Sequence, residues 1–267
     1  MTGSVFFVVS LMVAGHQIFA QSNVAASTDS DAQKRHAEYF QLNRQIYARH
    51  GDPGSGELSD AKAVIASEKL HEMISSEIDR ALADPKPSER RVGSAIAALQ
   101  GELSLNEFDT ETANTPFVKF FSLNGIQSVA ISYAIIQGGD AIPDTQTYLD
   151  FYDNASGVWR KKTTAPTVKD FEGCTYFVSQ LRSGLPGEAW FFAWGVPIGS
   201  TRSAALARLY AFDGFTVRTI WKRDLLAYAK VKVTPDTVSL DYSVFDDMGR
   251  FIEDRDEAFH VTANGLE

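Results

Sequence analysis

The sequence has a single cysteine among its 267 residues, Cys174. One cysteine excludes a disulfide framework and a cysteine-based zinc site. Positive charge is also in short supply: 25 Lys and Arg stand against 34 Asp and Glu, a net charge of -9. A phosphate backbone rewards clustered cations, so no nucleic-acid partner is expected. No nucleophile elbow G-x-S-x-G, no P-loop and no dinucleotide fingerprint occurs; Gly54-Ser-Gly56 precedes a helical stretch but lacks the rest. His71-Glu72 begins like the zincin motif H-E-x-x-H, but Ser75 fills the fifth position, and the pair reads as a solvated helix face. Catalytic residues therefore stay unknown at this level, and the enzyme question leans towards no.

What is present begins with an address. Val5 to Ala14 is an apolar run, Ala20 is a small residue before Gln21, and no charged side chain precedes Asp29. A short apolar core ahead of a small-residue cleavage site is the pattern of a secretory signal peptide over residues 1–20, although the usual Lys or Arg before the core is missing. A bilayer span takes about 20 apolar residues, and no other segment reaches that length. The expectation is an exported chain, periplasmic or extracellular, with no membrane span after cleavage. Cys174 lies in an apolar stretch and reads as a buried, inert thiol.

The rest divides near residue 116. Of the 31 aromatic residues, 24 fall in residues 117–267, including all four Trp, and aromatic enrichment favours strands. Residues 21–101 read as helical. One helix runs from Ser30 or Asp31 to His50, and Gly51 and Pro53 stop it. A second runs from Ser59 to Ala83 with Leu70, Ile74, Ile78 and Ala81 on one stripe. A third runs from Ser88 to about Gly101 with Val92, Ile96 and Leu99. Residues 102–116 read as a linker. Residues 117–267 read as about eleven antiparallel strands. Asn124-Gly125 gives the strongest hairpin signal, because both residues tolerate positive φ.

The β half repeats itself. Tyr148-Leu-Asp-Phe-Tyr-Asp153 is similar to Arg208-Leu-Tyr-Ala-Phe-Asp213, and each leads through a Gly-containing turn to a Trp followed by two cations. The Asp residues are 60 apart and the Trp residues, Trp159 and Trp221, 62 apart. The turn Asp153-x-x-Ser156-Gly157 resembles, in its chemistry, the hairpin turn of several propeller families, where an Asp side chain caps the turn. The expected fold class is mainly β with an N-terminal helical segment, built from antiparallel four-stranded repeat units, propeller-like or sandwich. Two and a half units are too few to close a ring of four to eight blades.

Three constellations are candidates for binding. Asp246, Asp247, Asp254 and Asp256, with Glu253 and Glu257, form an acidic run. Oxygen ligands at that density would suit calcium, the one cofactor worth testing, but the EF-hand spacing is absent and a charged loop with internal ion pairs is the expectation. Trp159 and Trp221, with Arg208 and Arg218 nearby in sequence, could stack on a ligand; Trp190 and Trp194 lie in a strand apolar on both faces and read as core. Arg160-Lys161-Lys162 and Lys222-Arg223 read as cations guarding edge strands. Asn154-Ala-Ser156 is a glycosylation sequon at a hairpin tip. Three functions stay open: a non-catalytic exported module for an extracellular or envelope partner, a secreted glycan hydrolase acting through loop carboxylates, and a structural envelope component.

Overall fold

The computed structural model describes residues 21–47, 60–101, 116–137, 144–171, 174–197 and 204–267. The predicted signal, the loop around Gly54 and nearly all of the predicted linker lie outside these residues. Helices α1 (Gln21–Tyr47), α2 (Asp60–Leu82) and α3 (Glu89–Gln100) precede all of the strands. Helix α1 begins about nine residues before the expected cap, because Gln21–Asp29 holds no Gly or Pro to break it. Helix α3 is capped as expected, with Ser88 Oγ accepting from the Arg91 amide.

Strands β1 (Phe117–Leu123), β2 (Ile126–Gln137), β3 (Asp144–Asp153) and β4 (Arg160–Thr164) form a four-stranded antiparallel sheet. A short helix, α4 (Thr167–Asp170), follows. Strands β5 (Cys174–Leu181), β6 (Ala189–Pro197), β7 (Ala204–Phe212), β8 (Val217–Val233), β9 (Thr237–Phe245), β10 (Phe251–Thr262) and β11 (Gly265–Leu266) form a second antiparallel sheet. It has seven strands, or eight if β8 is counted twice. The first half of β8 pairs with β7 and the second with β9, and the break falls at Tyr228, a non-glycine residue at φ 55°.

Each layer follows from strand alternation. Val129, Ile131, Tyr133 and Ile135 of β2 face the helices and share a core with Leu70, Ile74, Ile78, Val92 and Ile96. The intervening Ala130, with Leu149 and Phe151 of β3, meets Phe191 of β6 and Tyr210 and Phe212 of β7. Phe151 and Phe212 stack at 4.5 Å. A third core, with Trp190, Phe192, Leu209, Val238, Leu240 and Leu266, lies on the far face of the seven-stranded sheet. That sheet curls over it: the Arg182 amide donates to Pro235 O at 2.6 Å, and Arg182 pairs with Asp236 at 3.0 Å. The helices thus pack on the β layers rather than standing apart. The protein is mainly β, in antiparallel sheets with a few helices.

Two expectations need correction. The alternation in the sequence predicts separate strands at Phe215–Trp221 and Ala229–Val233, whereas β8 runs unbroken from Val217 to Val233. The acidic run expected to be a loop is mostly strand: β10 begins at Phe251 and carries Glu253 to Glu257 in register with β9. An edge position lets a strand keep its charges in water, so composition hides it.

Candidate functional site

The proposed ligand residues occupy separate places. Trp159 packs edge-on against Phe120 at 5.5 Å on the helical side of the four-stranded sheet. Trp221 sits on β8, opposite Leu209 on the curled face, edge-on to Phe259 at 5.3 Å. Arg218 stands on the same face, opposite Ala211, and pairs with Glu188, which also accepts from Trp190 Nε1 at 2.8 Å. Arg208 points to the inter-sheet side, is 9% exposed, and is held by Asp170, Asp224 and the carbonyls of Ala207 and Arg223. Its guanidinium lies 6.0 Å over the Phe171 ring. The four do not form one site. Trp190 is core at 1% exposure, and Trp194 is half-buried, stacked on Phe177 at 5.2 Å.

The four proposed calcium ligands likewise do not converge. Among the described residues no three His, Cys, Asp or Glu side chains come close enough to hold a metal. Asp246 has a different job. Its carboxylate accepts from the amides of Met248 at 3.0 Å and Arg250 at 2.8 Å and from Arg250 Nε at 2.8 Å, and these bonds hold its pKa below the usual carboxylate range. It organises the turn between β9 and β10. Asp254 accepts from Ser243 Oγ at 2.7 Å, and Asp256 lies opposite Asp241. Asp213 caps the β7–β8 turn in the same way as Asp246, accepting from the amides of Phe215 and Thr216 at 2.8 Å.

Two features were not singled out from the sequence. The first is a polar ring under α2. Asp150 on β3, fully buried, accepts from Tyr133 Oη at 3.0 Å, from Thr164 Oγ1 at 2.6 Å and from Lys161 Nζ at 2.8 Å. A carboxylate only accepts, so Tyr133 spends its one proton there. His71 Nδ1, 2.8 Å from the same hydroxyl, must then donate, and its Nε2 is left to accept from Lys161 Nζ at 3.3 Å. The ring closes through four residues on four elements. Tyr148 stacks on His71 at 4.2 Å. Burial, and then the Lys161 ammonium, lower the His71 pKa against the opposing pull of Asp150. Burial and the Asp150 charge push the Tyr133 phenol well up. The face predicted to be solvated at His71 is instead half-buried against the sheet. Chemically the ring contains an acid-base set, but both His71 nitrogens, the Tyr133 proton and Asp150 Oδ2 are committed within it, and Asp150 Oδ1 is committed to Thr164. It reads as a clasp between α2 and the sheet.

The second feature is the end of the β8–β9–β10 ribbon. Tyr228, Phe245 and Phe251 form a chain of rings, each 6.0 Å from the next. Met248 is 80% exposed and Phe251 and Ile252 are 57% and 56% exposed. The turn that presents them is fixed by Asp246, with Gly249 at φ 73°. This apolar end borders the acidic residues of β10.

No protein-family model, no curated protein and no solved structure matches this chain. A shallow groove between α3 and β1, over Gly93 and Val118, contains one carboxylate, Glu89, which is engaged by Lys119 at 3.3 Å. Among the described residues no helix is long and apolar enough to cross a membrane.

Proposed function

We propose that this chain is an exported, non-catalytic, β-rich binding module that docks a partner through the end of the β8–β9–β10 ribbon. The observation that carries the reading is the exposed group Met248, Phe251 and Ile252, in and beside a turn pre-set by Asp246, with Phe251 linked through Phe245 to the exposed Tyr228 of β8. Large apolar side chains gathered at one exposed point are a docking signature, whereas single exposed ones are ordinary. The clasp supports the same reading, since its acid-base groups are occupied with each other.

Export rests on the apolar run Val5–Ala14 and the small residue Ala20. The two strand motifs at Tyr148 and Arg208 support a repeat origin of propeller-like type. Leu149 faces the inter-sheet core while Leu209 faces away from it. These two leucines therefore point in one direction along the stack, as in successive blades, whereas Trp159 faces the helices and Trp221 the third core, in opposite directions.

A photoreactive residue at position 248, with position 86 as control, tests the docking surface in the source cells. The reading expects a discrete adduct from position 248 alone. Equal labelling from both positions, or none from 248, rejects it. The mass of the secreted or periplasmic form tests export, with Gln21 as the expected first residue.

A further inference from the structure

Among the described residues, strand β10 is paired along one side only for most of its length. Its register with β9 runs from Phe251 to His260, whereas on the other side Gly265, Leu266 and Glu267 pair with Thr262, Val261 and His260 alone. Residues Phe251–Phe259 thus present one open edge of backbone donors and acceptors. An open edge is a template for an added strand. Many proteins blunt such an edge by making it short or placing Pro in it. This one is twelve residues long, contains no Pro, and opens on the exposed Phe251 and Ile252.

Charge decides the occupant. Glu253, Asp254, Asp256 and Glu257 stand against the single cation Arg255, and residues 251–256 are all exposed. A second copy pairing antiparallel about Arg255 would set Glu253 opposite Glu257, Asp254 opposite Asp256 and Arg255 opposite itself. Like charges directly opposite destabilise a strand pair. A strand rich in Lys or Arg meets the reverse situation. Asp254 and Asp256 lie on the outward face, while Glu253 and Glu257 lie on the face towards the third core, so cations on either side of such a strand find carboxylates. Among the described residues, Arg255 pairs with Glu253 at 2.6 Å, and Asp254 accepts from the neutral Ser243 hydroxyl.

We infer that the open edge of β10 accepts an extended, Lys- and Arg-rich segment of a partner protein as an additional antiparallel or parallel strand. The inference rests on the reading of the ribbon as a docking surface and names its partner chemistry. Backbone hydrogen bonds along the edge supply register, the acidic side chains select for cations, and the exposed Phe251 and Ile252 receive apolar residues at one end.

The test uses the whole chain and a nine-residue, end-capped peptide of alternating Lys and Val. Its controls are a Glu/Val peptide and a Lys/Val peptide N-methylated on alternate residues. Affinity is read by anisotropy, and pairing by amide exchange of residues 251–259. The expected result is binding of the Lys/Val peptide at least tenfold tighter than the Glu/Val peptide, with exchange across the edge slowed at least tenfold. N-methylation should abolish both effects. The exposed double variant D254K/D256K should reverse the charge preference. Equal binding of the N-methylated peptide would reduce the effect to bulk electrostatics and overturn the inference. Absence of Lys/Val binding, or edge protection arising from self-association alone, would overturn it too. A partner adduct from position 248 that persists in any of those cases leaves the docking reading standing and removes only the strand. Loss of that adduct removes both.

Discussion

Lys161 on β4 sits 2.8 Å from the carboxylate of Asp150, a side chain with no exposed surface, while its own side chain is 30% exposed. The pair joins an edge strand to the middle of a sheet directly under α2. Removing either partner has unequal effects. Lys161→Met leaves a buried carboxylate without its cation and should cost about 3–5 kcal/mol, the range for a broken buried pair. Asp150→Asn leaves a cation that can turn to water, and about 2–3 kcal/mol is expected after discounting for that exposure. The double variant should lose less than the sum, because the two sites share one interaction. Urea unfolding of the four proteins measures this, and additive losses would contradict the clasp.

The clasp should also respond to pH. Folded His71 takes up a proton less readily than an unfolded histidine, whose pKa is 6.5. The stability it contributes is complete above pH 6.5 and is lost as pH falls from there to the lower folded value. A protonated His71 would also set an N–H against the Lys161 ammonium. Melting temperature should fall more steeply from pH 7 to pH 5 for the native chain than for His71→Gln, which cannot titrate. Parallel curves would show that His71 does not sense protons through this contact.

The interface between α4 and the second sheet should tolerate no added methyl. A Cβ on Gly195 would lie 2.6 Å from Phe171 Cδ1 and 2.9 Å from Cys174 Cβ. Gly195→Ala should therefore destabilise by about 1–3 kcal/mol, the cost of overpacking. A midpoint unchanged in urea would mean that Phe171 can move aside.

Cys174 is 2% exposed, and burial pushes its thiol up to about 11. The thiolate is the reactive form, so an aromatic disulfide reagent should label it only once denaturant opens the fold. Rapid labelling in native buffer would place the thiol in a far more open environment.

The ribbon end should be dispensable for folding. Met248→Ser with Phe251→Ser removes exposed side chains and should shift stability by no more than about 0.5 kcal/mol. The same variant should lose the adduct formed from a photoreactive residue at position 252. Loss of fold instead would make the cluster structural.

Much of the layer structure was legible in the sequence. The stripe of Leu70, Ile74, Ile78 and Ala81 is buried in α2, and Asn124 and Gly125 adopt φ 53° and 80° in the predicted hairpin. Local periodicity and turn chemistry specify such features. The clasp was not legible, because His71, Tyr133, Asp150 and Lys161 come from four elements and meet only once α2 lies on the sheet. Each residue alone has an ordinary reading, and the one motif that His71 begins is the zinc spacing that Ser75 breaks. The strand through Glu253–Glu257 was hidden for a different reason. A strand at a sheet edge whose residues 251–256 are all exposed owes little to apolar alternation, which is the signal a sequence offers.

Every strand of both sheets lies beside the strand that precedes or follows it in the chain. No pairing waits for a distant segment, so the loops closed at each step are short and their entropic cost is small. A chain that emerges from its N-terminus can lay down the four-stranded sheet in full before the first residue of β5 exists. It can then build the second sheet strand by strand against a finished surface. The last major strand to be added is β10, and like β4 in the first sheet it meets no later strand along most of its length. The growing edge of assembly and the proposed docking edge are one and the same.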